Sequence, residues 1–175
     1  MVYTVTFNPA VDYIVHTKQL IAGATNRSDS EEIYFGGKGI NVSIVLSELG
    51  VKSKALGFVA GFTGEAIEKG VAEKGIDADF VHLNEGFSRI NVKIKSGEET
   101  ELKGQGPKIT DEAIRELYAK LDEIQDGDTL VLAGSIPSSL PADIYERILE
   151  RLSGKKIRAV AVSYTHLTLP TIYSV

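Results

Sequence analysis

Residues 36–59 read GGKGINVSIVLSELGVKSKALGFV, and the fold class turns on this stretch. Val42, Val45, Leu46 and Leu49 recur at i, i+3, i+4 and i+7, the spacing of one helix face. Gly50 stands where a helix-ending glycine belongs. Lys54–Val59 then runs apolar without alternation, as a strand covered on both faces does. A glycine-rich entry, a helix and a buried strand in that order predict an α/β fold with right-handed crossovers over a parallel sheet.

The chain on either side keeps this rhythm and twice breaks it. A second helix is expected from about Thr63, as N-cap, to Lys74, closed by Gly75, with a short strand at Phe80–Leu83. Thr110 caps a third helix, with Asp111 and Glu112 in its first turn and Ile114, Leu117, Leu121 and Ile124 as its stripe. Thr129–Ala133 (TLVLA) reads as a buried parallel strand. Pro141 opens a fourth helix with Ile144, Ile148, Leu149 and Leu152 inside and Gly154 at its end, and Ile157–Val162 is the next buried strand. On the other side, Val2–Phe7 is a strand broken by Asn8-Pro9. The two breaks lie near 11–35 and 87–104. Asp12–Val15 and Glu32–Phe35 are short strands around a polar TNRSDSEE. Arg89–Lys95 alternates strictly, turns at Ser96-Gly97 and returns over Glu99–Lys103. These pieces predict a small antiparallel second sheet with one polar and one apolar face.

Composition narrows the classes. The 175 residues suit one domain, with 43% hydrophobic and 25% charged residues. A net charge of −5 with mixed signs argues against a nucleic-acid or anionic-membrane surface. With no cysteine there are no disulfides and no thiolate metal site. The opening MVYTVTFNPAV lacks the features of a signal peptide, and no apolar run reaches the roughly 20 residues of a membrane span, so a cytoplasmic location is expected.

Among residues that could carry chemistry, Gly36-Gly37-Lys38-Gly39-Ile40-Asn41 is the sharpest feature: exposed backbone N–H groups, a helix N-terminus and one cation suit an anion. It also suits a plain tight turn. A Walker A loop would need Gly at Glu32 and Ser or Thr at Gly39, and a dinucleotide loop would need Gly or Ala at Val42. Asp12 lies beyond the first strand, where open α/β sheets gather ligands, and its carboxylate could accept sugar hydroxyls. Arg89 could fork onto a phosphate. Gly134-Ser135-Ile136-Pro137 is another loop at a strand's carboxyl end. Taken alone, Asp12, Arg89 and the Gly134–Pro137 loop each fit a solvated turn or strand end better than a site. His16, His82 and His166 show no metal-ligand spacing and read as structural, and Glu98, Glu99 and Glu101 read as a solvated hairpin.

TVTFNPAVD, GGKGINVS with LSELG, ALGFVAGFTG, SRINVKI with a polar hairpin, and LVLAGSIPSSLP stand here in the order found in ribokinase-type (PfkB) carbohydrate kinases. The resemblance covers about residues 1–162 and is strongest to the 1-phosphofructokinase branch, with tagatose-6-phosphate kinases very similar. It implies a ribokinase-like parallel sheet sandwiched by helices, with a β lid that often clasps a second copy. It implies that Asp12 binds sugar hydroxyls and that Gly36, Gly37, Lys38 and Asn41 surround the sugar. Arg89, helped by Lys38 and less strongly by Arg27, would hold the substrate phosphate, and Ser135 would line the site. The implied reaction is transfer from MgATP to fructose 1-phosphate, giving fructose 1,6-bisphosphate. The family's aspartate base sits in a Gly-Ala-Gly-Asp loop, which these 175 residues do not contain. The expectation is therefore a chain without the family's C-terminal half, its ATP pocket or its base, inactive on its own, with the strand around Val160 left as an unpaired, partly apolar sheet edge. No metal site is expected in it. Ser163–Val175 fits no family element, resembles translated read-through of sequencing-adapter DNA, and is expected to be an artefactual tail.

Overall fold

The computed structural model describes residues 1–162; the expected tail at 163–175, with His166, lies outside the described residues. Along the chain run β1 (Val2–Thr6), β2 (Ala10–His16), β3 (Ser30–Gly36), α1 (Lys38–Glu48), β4 (Ser53–Ala60), α2 (Gly61–Glu73) and β5 (Asp77–Ala78). Then come β6 (Val81–Leu83), β7 (Arg89–Ser96), β8 (Glu98–Lys103), α3 (Asp111–Asp122), β9 (Thr129–Ala133), α4 (Ile144–Arg151) and β10 (Arg158–Val162).

The main sheet has the order β10-β9-β1-β4-β5, with β6 also on β4, and all its pairings are parallel. Helices cover both faces. Successive side chains of a strand point to opposite faces, so β4 sends Ala55 and Val59 to a core with Ile40 of α1 and Ile67 and Val71 of α2. Its Leu56 and Phe58 go to a second core with Leu117 and Leu121 of α3 and Ile144, Tyr145 and Ile148 of α4. Thr110 Oγ1 accepts the Ala113 N–H at 3.2 Å, the cap expected of α3.

The small sheet has the order β3-β2-β7-β8. Its outer pairings are antiparallel, as the alternation predicts, but β2 and β7 run parallel, so the lid is mixed. A long excursion through α1, β4, α2 and β6 separates those two strands, and such a connection, unlike a hairpin, permits parallel pairing. Phe35 fastens this sheet to the sandwich: a Cβ on Gly70 of α2 would come within 2.1 Å of its ring.

Three local expectations are corrected. Thr63 is not an N-cap: α2 starts at Gly61, and buried Thr63 donates its hydroxyl to the Ser88 carbonyl at 2.7 Å. The strand at 158–162 is not buried, as its apolar run alone suggests, but stands at the open edge expected for it: β10 has β9 on one side only, and Val160 and Val162 are each 47% exposed. The third is the rotation of α1. Its buried residues are Gly39, Ile40 and Ser43, whereas Val45 and Leu49 of the predicted stripe point outward.

That rotation is fixed by close contact with β1. A Cβ at Gly39 would lie 2.5 Å from Thr6 Oγ1 and 2.8 Å from the Val5 carbonyl oxygen. The Ile40 N–H donates to Thr6 Oγ1 at 3.0 Å, and Ser43 Oγ shares a 2.8 Å hydrogen bond with Thr4 Oγ1.

Two outcomes follow. Gly39→Ala should destabilise the chain by about 1–3 kcal/mol through overpacking, read from the denaturant midpoint, and an unchanged midpoint would show that α1 can ride outward freely. Val160→Lys should raise the soluble yield at unchanged stability, because a charge on an open strand edge blocks edge-to-edge pairing; a matching loss of stability would show the side chain to be packed.

Candidate functional site

The carboxyl ends of β1 and β9, the N-terminus of α1 and the polar face of the small sheet meet around a cleft of about 430 Å³. Thr6, Asn8, Ala133, Gly134 and Ser135 form its floor, Gly37, Lys38 and Asn41 one wall, and Asp12, Arg89, Asn91, Lys93, Glu101 and Lys103 the roof. The cleft thus gathers four cationic side chains against two carboxylates.

The wall is a helix start pressed against a strand end. Gly37 precedes α1 with φ 142°, in the region that favours glycine, and a Cβ there would meet Thr6 Cγ2 at 2.5 Å. The positive end of the α1 dipole therefore stands at the cleft beside Lys38. On the floor, buried Tyr145 donates its hydroxyl to the Gly134 carbonyl at 3.0 Å and stacks on Phe7 with ring centroids 5.3 Å apart. Burial pushes the Tyr145 phenol up to about 12, so it remains a neutral donor that holds the Gly134-Ser135 loop. Asn8 Nδ2 donates to the Gln105 carbonyl at 2.8 Å, tying the end of β1 to the chain leaving β8.

The roof carries most of the charge. Arg89, Asn91 and Lys93 alternate along β7 and share its polar face. Asp12 lies opposite Asn91 in register and accepts from Asn91 Nδ2 at 2.8 Å and from Lys93 Nζ at 3.2 Å. Arg89 is half-buried, and its Nε is buried with no hydrogen-bond partner among the described residues. Burial lowers its pKa from the ordinary value, while Asp12 and then Glu101 pull it back upward. A guanidinium stays charged through such a shift, so the site holds a partly desolvated cation.

Of the residues singled out from sequence, Asp12, Gly37, Lys38, Asn41, Arg89 and Ser135 all line the one cleft. Gly36 ends β3 next to it, and a Cβ there would stand 3.1 Å from Asn41 Oδ1. Arg27 is elsewhere: it is exposed in the loop between β2 and β3, where its carbonyl accepts from Thr17 Oγ1 at 3.2 Å. His16 pairs with Glu32 at 2.7 Å and His82 with Glu68 at 3.3 Å, away from the cleft. Sequence reasoning missed Asn91, Lys93, Glu101 and Lys103. For the first two the signal was present, since period two places them on the same face as Arg89. For Glu101 and Lys103 no local signal distinguishes a hairpin facing a cleft from one facing water.

The chain is similar to known proteins of one family. The pfkB family carbohydrate kinase profile matches residues 5–168. A 1-phosphofructokinase of Bacillus subtilis (strain 168) is 51% identical over 160 residues, covering 91% of this chain and 52% of the relative. A D-tagatose-1-phosphate kinase of Bacillus licheniformis is 39% identical with the same coverage, 91% and 52%. The crystal structure of phosphofructokinase-2 from Escherichia coli in complex with substrates and products superposes with a TM-score of 0.86 at 25% identity, over 93% of this chain and 54% of that one. The chain spans about half the length of the curated relatives it matches. With the family's motifs in order, its ribokinase-like α/β architecture and its profile over nearly the whole chain, this protein belongs to the pfkB family of carbohydrate kinases.

Proposed function

We propose that the cleft binds a ketohexose phosphate, and that the chain supplies the sugar-binding side of a kinase that converts fructose 1-phosphate to fructose 1,6-bisphosphate. The observation that carries this is Arg89: a half-buried guanidinium lining the cleft, partly drawn out of water, is costly unless an anion meets the nitrogens it presents there. The substrate phosphate sits there, with Lys38 and the N-terminus of α1 on its other side. The sugar hydroxyls then face Asp12, and Asn41, Gly36, Gly37 and Ser135 bound the ring. Arg27, exposed in the loop between β2 and β3, does not line this chain's own cleft. The relatives favour fructose 1-phosphate, and a tagatose phosphate is the runner-up. A binding module without turnover is the rival of a different class.

Phosphoryl transfer depends on positioning and charge neutralisation, and this chain contributes both on the acceptor side. MgATP is the donor that the family resemblance implies. The described residues offer no cluster of three or more metal-ligating side chains, and the cleft's charges are those of a sugar-phosphate site, so no donor step is assigned to them. Without a Gly-Ala-Gly-Asp loop the chain should bind substrate and not turn it over. A coupled assay with MgATP and fructose 1-phosphate tests this, and turnover by the chain alone would overturn it.

We also propose that the lid's outer face meets a second copy of the chain. Tyr13, Ile33, Val92 and Leu102 form one straight row across all four strands, and Ile33 and Leu102 are 58% and 62% exposed. An apolar row of this kind on a polar-edged sheet suits a self-complementary interface.

Calorimetric titration with fructose 1-phosphate should show Arg89→Gln and Lys38→Gln binding roughly ten- to a hundredfold more weakly, since a charge-assisted contact is worth about 1.5–3 kcal/mol. Unchanged affinity in both would remove the phosphate assignment. In sedimentation, Ile33→Glu should convert a dimer to a monomer, and a wild-type chain that is already monomeric would refute the lid interface.

A further inference from the structure

Lys93 does not make the contact its register offers. Directly opposite it on β8 stands Glu101, the position at which a cross-strand ion pair would form. Glu101 instead pairs with Lys103 at 3.1 Å, and Lys93 reaches diagonally to Asp12 on β2. Both members of that diagonal pair are only 26% exposed. Asn91 shows the same preference at its own expense. It is 7% exposed, and turning its Nδ2 to Asp12 leaves its Oδ1 buried with no partner among the described residues. Flipping the amide would set a carbonyl oxygen against the carboxylate, so the orientation is dictated by Asp12. A buried acceptor left unsatisfied destabilises the fold, and an exposed cross-strand pair contributes little to it. Both choices converge on Asp12, each of whose carboxylate oxygens receives one donor from β7.

We propose that Asn91 and Lys93 are positioning residues that clamp the Asp12 carboxylate for recognition of the sugar hydroxyls. Asn91 fixes Oδ1 and Lys93 fixes Oδ2, which sets the plane of the carboxylate. Each carboxylate oxygen has a further lone pair for a hydroxyl donor, so substrate adds to the clamp and displaces neither prong. Because Arg89 lies on the same strand as both prongs and Asp12 is paired to that strand in register, the β2–β7 pairing sets the distance between the phosphate contact and the hydroxyl contact. This inference rests on the sugar-phosphate reading above and adds the residues that make Asp12 selective.

Fructose 1-phosphate and inorganic phosphate, titrated separately into the intact chain, test it. Lys93→Met and Asn91→Leu should each weaken fructose 1-phosphate binding roughly tenfold while leaving inorganic phosphate unchanged, with Lys93→Arg restoring most of the loss. Thermal unfolding of each variant shows that it is folded. Equal weakening toward both ligands would make Lys93 a phosphate ligand and overturn the clamp, and so would unchanged affinity toward both. If the wild-type chain binds inorganic phosphate but not fructose 1-phosphate, the hydroxyl-binding role of Asp12 falls and the clamp with it. If it binds neither, the sugar-phosphate reading itself is wrong.

Discussion

Thr6, at the carboxyl end of the central strand, is the contact on which the rest of the structure depends. Cβ atoms at Gly37 and Gly39 would strike its side chain at 2.5 Å, and one at Gly57 would strike its carbonyl oxygen at 2.1 Å. Three glycines from two elements thus let the start of α1 and the middle of β4 close around one residue. Its hydroxyl accepts the Ile40 N–H, which satisfies one of the donors that every helix start leaves open. The cleft wall, the aim of the α1 dipole and the depth of the floor all follow from how closely these backbones approach.

The lid is joined to this centre by few but specific contacts. Phe35 lies on Gly70 of α2, and the Ser88 hydroxyl accepts the Ala60 N–H at 3.0 Å just before β7 begins. Asn8 holds the chain beyond β8. These anchors all sit at the base of the small sheet, while its far end carries exposed pairs such as His16 with Glu32. The charged roof residues lie between the two, near enough to the base to be held in register over the floor. That arrangement explains how a sheet with an exposed apolar face can still place Arg89 and Asp12 reproducibly.

Much of this was legible in the sequence, for physical reasons that differ by element. The core strands β4 and β9 carry unbroken apolar runs, which only burial on both faces explains, and Thr110 announces α3 through its cap. Asp12, Lys38, Arg89 and Ser135 could be grouped only through the order of the family's motifs, since each alone fits a solvated turn. What the sequence concealed is what depends on pairing across distance. The parallel register of β2 and β7, the facing of Glu101 and Lys103 toward the cleft, and the diagonal reach of Lys93 have no local signal.

The rotation of α1 shows which demand prevails when two compete. A helix turns about 100° per residue, so Gly39 and Ser43 share a face, and Val45 and Leu49 share another roughly 120° around the axis from it. Facing the stripe of Val45 and Leu49 inward would bury more apolar area, worth about 25 cal/mol per Å². It would also carry Gly39 and Ser43 away from β1, opening the Thr6 contact and the hydrogen bond to Thr4. The small face wins because only small residues allow the approach, and only that approach puts the N-terminus of α1 at the cleft. Helical periodicity reports how much apolar surface a segment has. It does not report that a close contact with β1 has already decided which way the segment faces.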